Sequence, residues 1–289
     1  MNTYEIISNQ IISELEKGIV PWQKPWTGGL SGSVSYNTGR PYSFLNQMLL
    51  GFRGGEYLTF NQVRKLGGSV KKGAKSGMVV FYSMIEKKER DADGVEHKTT
   101  FPYLTTSRVF NLEDTTGIKA RWTKELKGNT DNDFFEIAEN AINAYIDRED
   151  GLTCVHENID RAFYSPSTDS VTVPTLQQFV SSNEYYGTTF HELVHSTLTA
   201  TRCNRPSQKF GKFGDEVYSK EELVAEIGSA MILKELGIDT EKCFKNSVSY
   251  IGSWLKVLKN DNRFIVEAAK YAEQAVKLIL TGERPNKKR

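Results

Sequence analysis

The five residues His191-Glu192-Leu193-Val194-His195 decide how this chain is read. Around them Tyr186, Phe190, Leu193, Val194 and Leu198 recur at helical spacing, which predicts a helix over residues 183–200. Histidines at i and i+4 stand one turn apart on one helix face, so both imidazoles can reach a single divalent ion. Glu192 is rotated about 100° from His191. That places its carboxylate to flank an activated water as general base instead of binding the metal. The chain holds four histidines; the other two, His97 and His156, stand in polar, turn-like surroundings and read as surface residues.

A catalytic zinc site takes three protein ligands and keeps a fourth position open. The third ligand is expected from a second helix, and Ser219-Lys220-Glu221-Glu222-Leu223-Val224-Ala225-Glu226 supplies one. Glu222 and Glu226 share a face, one turn apart. The preferred division puts Glu222 on the metal with His191 and His195, and hydrogen-bonds Glu226 to a ligand histidine. Spacing leaves the reverse open. Glu221 points off that face. Ser219 followed three residues later by Glu222 also fits a capping box, which would give Glu222 a purely local role. No histidine lies between Ser196 and Asn204, so a third histidine ligand soon after the second is absent. Zn²⁺ is the expected cofactor, and Mn²⁺ or Co²⁺ suits the same ligands. The expected chemistry is peptide hydrolysis, with zinc activating a water and Glu192 taking its proton. Tyr218 and Tyr250 have the side-chain type to stabilise an oxyanion, but spacing gives neither a place near the metal.

Working outward, 289 residues predict two domains, expected over 1–128 and 129–289. Hydrophobic residues at 38% and charged residues at 25% leave enough apolar surface for a core in each. No run of 18 apolar residues reads as a membrane span, and Met1-Asn2-Thr3-Tyr4-Glu5 lacks the basic start of a secretory signal. The three cysteines (Cys154, Cys203 and Cys243) are widely spaced without a CxxC pair, against a disulfide framework or a thiolate zinc site. A soluble, cytoplasmic protein without a membrane partner is expected. The net charge of +1 hides an asymmetry: residues 1–128 carry 18 Lys+Arg and 12 Asp+Glu, residues 129–289 carry 19 and 24. A basic front half points to a polyanionic partner.

The fold class expected is α+β: a small front domain with an antiparallel sheet, then a mostly helical rear domain with short edge strands. Residues 4–18 predict a helix stopped at Gly18. Val20-Pro-Trp-Gln-Lys-Pro-Trp26 reads as extended and displays two tryptophans. Short helices are expected near 43–50 and 59–66, the latter capped by Thr59. Strands are expected at 78–85, 100–104 and 106–111 with a hairpin turn at Asp91-Ala92-Asp93-Gly94, then a linker over 114–130. The rear half predicts a helix at 133–147, short strands at 162–165 and 170–173, helices at 175–182 and 183–200, an irregular stretch at 202–218, and helices at 219–236, 247–259 and 261–281.

The front half has the parts of a single-strand nucleic-acid binder, aromatics for bases and cations for phosphates. Trp22, Lys24, Trp26, Arg40, Tyr42, Lys71, Lys72 and Lys75 are the candidates. Phe44, Phe60 and Phe81 are expected in the core. The loop Lys71-Lys72-Gly73-Ala74-Lys75 lacks the ending of a nucleotide-binding P-loop and fits a phosphate-backbone contact better.

Two resemblances join these pieces. The HExxH helix followed by a second helix with a Glu ligand resembles the zincin metallopeptidases of the gluzincin type, with Glu226 where an aspartate usually stands. Gly18-Ile-Val-Pro-Trp-Gln-Lys-Pro-Trp26, Thr38-Gly-Arg-Pro-Tyr42, Leu58-Thr-Phe-Asn-Gln62 and Gly67-Gly-Ser-Val-Lys-Lys-Gly73 resemble the N-terminal domain of ArdC-type antirestriction proteins, which is also similar to the front of conjugation primases of the TraC type. Tyr185-Tyr186, the HExxH run, Glu221–Glu226 and Ser253-Trp-Leu-Lys-Val-Leu-Lys-Asn-Asp261 are similar to the same family. The resemblance implies a single-stranded-DNA-binding domain joined to a zincin-like metallopeptidase domain that acts on an unidentified protein. Such proteins belong to plasmids, conjugative elements or phages and shield incoming DNA from restriction. The alternative it leaves is a non-catalytic protection protein that binds single-stranded DNA and whose metal site is structural or vestigial.

Overall fold

The first helix, α1 (Thr3–Leu15), buries Ile7, Ile11, Ile12 and Leu15 at spacings of one helical turn, and Gly18, in the left-handed region at φ 75°, closes it by donating to the Leu15 carbonyl. The structure is a computed structural model that describes residues 2–23, 33–51, 53–90, 96–122, 131–179, 181–206, 216–238 and 251–285. The chain forms two compact units, 1–7 with 31–124 and 8–30 with 125–289. Of the described residues, 8–23, expected in the front domain, group with the rear unit. The cause is visible in the packing. Trp22 lies in a single 3-10 turn, Pro21–Gln23, and is fully buried with its ring edge-on to Trp254, centroids 5.2 Å apart. Ser8 donates to the Asn262 carbonyl at 2.7 Å, and Glu16 pairs with Lys259 at 2.7 Å. The residues expected to display Trp22 thus fold it into a core, where no base can stack on it.

The front unit is built on a four-stranded sheet of order β1-β2-β5-β4. Its strands are β1 (Ser33–Ser35), β2 (Gly55–Thr59), β4 (Gly77–Arg90) and β5 (Glu96–Asn111); α2 (Phe44–Leu49) and α3 (Phe60–Lys65) accompany them, and β3 (Ser69–Val70) pairs apart with β6 (Thr115–Thr116). β4 and β5 form a long antiparallel ladder, Gly77 opposite Val109 through Arg90 opposite Glu96. What the sequence divides into two strands is one, β5, and the hairpin turn at 91–94 lies outside the described residues. Both sheet faces carry apolar side chains: Tyr57, Val79 and Val109 on one, Leu58 with Tyr36 and Val63 on the other. Thr59 caps α3 as expected, with Gln62 completing a capping box. The stretch expected as a linker is partly ordered: β6 pairs there, Ile118 packs on the Leu58 cluster, and buried Glu56 accepts from the Arg121 and Trp122 amides at 2.8 Å each. Residues 123–130 lie outside the described residues. Phe44 is buried as expected, whereas Phe60 and Phe81 are 48% and 46% exposed.

The rear unit is helical around a small sheet, β7-β9-β8, formed by β7 (Thr153–Glu157), β8 (Phe163–Ser165) and β9 (Ser170–Pro174). Its helices are α4 (Asp131–Arg148), α5 (Ser182–Ser196), α6 (Glu216–Glu235), α7 (Ile251–Asn260) and α8 (Phe264–Thr281). The expected helix at 175–182 is only a 3-10 turn at Leu176–Gln178. Helix α6 is central: from Leu223 to Leu233 every residue is buried, the pattern of a helix with neighbours all round. Gly228 sets its distance from α5. A Cβ there would stand 2.9 and 3.1 Å from the two Val194 methyls, and a β-branched side chain cannot swing aside. Gly228→Ala is expected to lose about 0–2 kcal/mol net, since overpacking of about 1–3 kcal/mol works against a helix-propensity gain of about 1 kcal/mol. Urea denaturation checks this; a stabilised variant would show that α6 shifts without strain.

Candidate metal centre

Helix α5 starts cleanly because Ser181 accepts from the Glu184 amide at 3.2 Å. Phe190, Leu193 and Val194 then bury its inner face. This fixes His191 and His195 one turn apart, with their Nε2 atoms 3.1 Å from each other. Glu222 of α6 completes the cluster, its Oε2 at 3.4 Å from His191 Nε2 and its Oε1 at 3.3 Å from His195 Nε2. Ligand bonds of about 2.0–2.1 Å at the tetrahedral angle place neighbouring donor atoms about 3.3 Å apart. Two imidazole nitrogens and a carboxylate at these separations fit three corners of a tetrahedron. Among the described residues this is the one group of three or more such side chains with metal-holding geometry.

Glu222 therefore stands where the preferred sequence assignment puts the third ligand. Ser219 does not cap the helix, because α6 begins at Glu216 and Ser219 is a buried interior residue; no capping role competes for Glu222. Glu192 is buried on α5 between the histidines, 8% exposed. Glu226 is buried one turn beyond Glu222.

The residue that meets the far side of His195 is Glu221, its Oε1 3.4 Å from Nδ1. The helix-face reading gives Glu226 a hydrogen bond to one of the ligand histidines and sets Glu221 aside. Glu221 is held in turn by Arg205, itself 1% exposed. Arg205 Nε donates to Glu221 Oε2 at 3.1 Å and Nη2 donates to Oε1. The same guanidinium donates to the Val194 carbonyl at 3.0 Å and to Thr197 Oγ1 at 2.5 Å. Arg202 works alongside it, donating to the Ser196 carbonyl at 2.9 Å while engaging Glu149 and Asp169. Of these two arginines from the stretch after α5, Arg202 satisfies the Ser196 carbonyl at the helix end, and Arg205 adds a bond to the Val194 carbonyl, which already accepts from Thr197. The only advance signal was their presence in an irregular segment directly behind the HExxH run.

Charge in the cluster follows from this packing. Burial works against the imidazolium of His195, but the hydrogen bonds and charges of Glu221 and Glu222 outweigh it and push its pKa up to about 10. Burial likewise opposes ionisation of Glu221, and Arg205 with His195 overcomes it, lowering the carboxyl to about 2. Glu222, despite burial, is held well below the usual carboxylate range by both histidines. The site is a preformed anionic pair of carboxylates facing two imidazoles, the charge pattern a divalent cation replaces.

The expected DNA contacts are scattered. Lys24, Trp26 and Tyr250 lie outside the described residues. Arg40, Lys71, Lys72 and Lys75 are exposed in the front unit, with Lys71 Nζ donating to the Glu113 carbonyl at 2.7 Å. Tyr42 is half-buried and edge-on to Tyr57, centroids 6.3 Å apart. Tyr218 is half-buried on α6.

Comparison with known proteins matches both halves. Residues 1–110 fit the family model for the N-terminal domain of anti-restriction factor ArdC, and residues 140–271 fit the model for a zincin-like metallopeptidase. Crystal structures of the antirestriction ArdC protein from the R388 plasmid, metal-free and Mn(II)-bound, share 31% identity with this chain over 96% of it and 97% of theirs, with TM-scores of 0.74 and 0.72. Two Escherichia coli proteins named DNA primase TraC are 34% and 33% identical over 97% of the chain, which spans 20% and 27% of their lengths. An uncharacterized protein, y4eC, of Sinorhizobium fredii is 28% identical over 94% of this chain and 89% of its own.

Proposed function

This chain belongs to the ArdC-type antirestriction proteins, and from that premise we propose that it protects incoming DNA of a mobile element by coupling single-strand binding in its front unit to metal-dependent peptide hydrolysis in its rear unit. The observation that carries the hydrolytic half is the convergence of His191, His195 and Glu222 at 3.1–3.4 Å with a further buried carboxylate, Glu192, on the same helix as the histidines. Supporting the DNA half are the match to the ArdC N-terminal domain model and the exposed cations of the front unit.

His191, His195 and Glu222 would hold a divalent ion, Zn²⁺ or Mn²⁺ by donor type. Bound there, such an ion supplies Lewis acidity toward a carbonyl and toward water. Arg205 and Glu221 orient the ligand: Glu221 accepts a hydrogen bond from the Nδ1–H of His195, which fixes the tautomer whose Nε2 lone pair faces the cluster. Glu192 takes a proton from the attacking water on its carboxylate oxygen and returns it to the departing amide nitrogen.

The test uses the purified full chain. Binding to a fluorescent single-stranded oligonucleotide should fall steeply with salt, because phosphate contacts release counterions. Incubation with unfolded protein and with host-cell proteins should give fragments that a chelator suppresses and added Zn²⁺ or Mn²⁺ restores. Salt-sensitive binding with no metal-dependent cleavage would replace this reading with a protection protein that acts by occupying DNA. Loss of both would end it.

A further inference from the structure

The front unit exposes a set of side chains that sequence reasoning assigned to the core or passed over. Phe60 is 48% exposed. It follows Thr59, which pairs with Val109 in the β2–β5 ladder and caps α3. Its backbone is therefore pinned from both sides, so a ring presented there loses little further freedom on meeting a ligand. Phe110, on β5, is half-buried and brings a second ring 6.5 Å from the first, tilted by 57°.

Two arginines flank these rings. Arg64 lies one helical turn after Phe60, is exposed, and holds its guanidinium 6.0 Å from the Phe60 centroid. Arg108 precedes Phe110 by two positions on β5, so the two share a sheet face, and it is exposed. Among the described residues neither arginine has a carboxylate within ion-pair distance. Elsewhere in this unit Arg53 pairs with Glu113 and Asp114, and Lys71 binds the Glu113 carbonyl.

We propose that Phe60, Phe110, Arg64 and Arg108 form a stacking platform on which the front unit seats bases of single-stranded nucleic acid. The proposal rests on the single-strand reading above and gives it a location that Trp22, now buried, cannot supply. Charge complementarity selects the occupant. A docked apolar peptide would leave two guanidinium groups without partners, whereas a single strand offers flat apolar bases to the rings and phosphates to the arginines. Phe81 and Tyr103 are also exposed, at 46% and 49%. By the β4–β5 register they belong to the opposite face of the sheet, which makes Phe81 an internal control.

The experiment is fluorescence anisotropy of a mixed-sequence single-stranded oligonucleotide with the full chain, titrated at several salt concentrations. Phe60→Ala is expected to raise Kd by about 5- to 150-fold, the span for one lost stacking contact, with an unchanged salt slope because it removes no charge. Phe60→Trp should keep or improve affinity. Arg64→Ala with Arg108→Ala should reduce the slope of log K against log salt by about 1.4, roughly 0.7 for each phosphate contact. Phe81→Ala should bind like the unmodified protein. Unmodified protein that fails to bind single strands would remove the DNA reading and this platform with it. Binding that survives Phe60→Ala and the double arginine variant, or that is lost with Phe81→Ala instead, would overturn the platform while leaving the DNA reading in place.

Discussion

Glu192→Gln is expected to lower peptide cleavage by about 10²–10⁴-fold while the protein still takes up its metal and still binds single strands. The substitution keeps the size and shape of the side chain, so the buried position between His191 and His195 stays filled. What it removes is the ability to accept and return a proton. Three ligands remain, so metal content measured on the purified variant should equal that of the unmodified chain. The split between retained metal and lost turnover is the informative part. A site whose ion is purely structural has no use for a base beside it, and the variant would then differ from the parent in nothing measured. Cleavage that persists unchanged in Glu192→Gln would remove Glu192 from the chemistry and leave the cluster without a proton carrier.

How much of this was readable beforehand depends on how local each signal is. His191, His195 and the helix that carries them follow from periodicity alone, because i and i+4 share a face wherever a helix forms. Glu222 needed one further step, the guess that a second helix packs across the first. Glu221, which meets His195 Nδ1, was set aside for a physical reason. A helical wheel ranks faces by polarity, and α6 is buried all round, so Glu221 and Glu226 both point into protein. Which of them reaches Nδ1 is decided by Arg205, from an irregular stretch whose course no pattern foretells. Trp22 was misread in the same way: its proline-bounded segment looks extended, and only contact with Trp254, more than two hundred positions away, closes it into the core. The two- and three-residue strands β1, β3 and β6 are too short to carry any period.

Arg205→Met is expected to be the most damaging single change in the rear unit, with a loss of about 3–5 kcal/mol. An orphaned charge sets the loss. Arg205 lies 1% exposed and Glu221 2% exposed, and the pair is joined through two guanidinium nitrogens. Removing the cation leaves Glu221 ionised in a dry site without the guanidinium that balances its charge. Removing both partners is a different matter, since apolar groups of similar volume can fill the space; Arg205→Met with Glu221→Met should recover much of the loss. The metal readout should not recover with it, because His195 Nδ1 then loses the Glu221 carboxylate that orients it, and affinity is expected to fall about 10- to 100-fold. Acid provides a second check. In the unmodified chain Glu221 titrates near 2, below its ordinary 4.5, so its contribution is complete above pH 4.5 and fades as the pH falls toward 2. Without Arg205 the carboxyl pKa rises, and the deficit of Arg205→Met should shrink on acidification as Glu221 takes up a proton. Denaturant curves at neutral and mildly acidic pH measure both effects. A variant within 1 kcal/mol of the parent at pH 7 would show that the arginine only fills space, and that the orientation of His195 is set elsewhere.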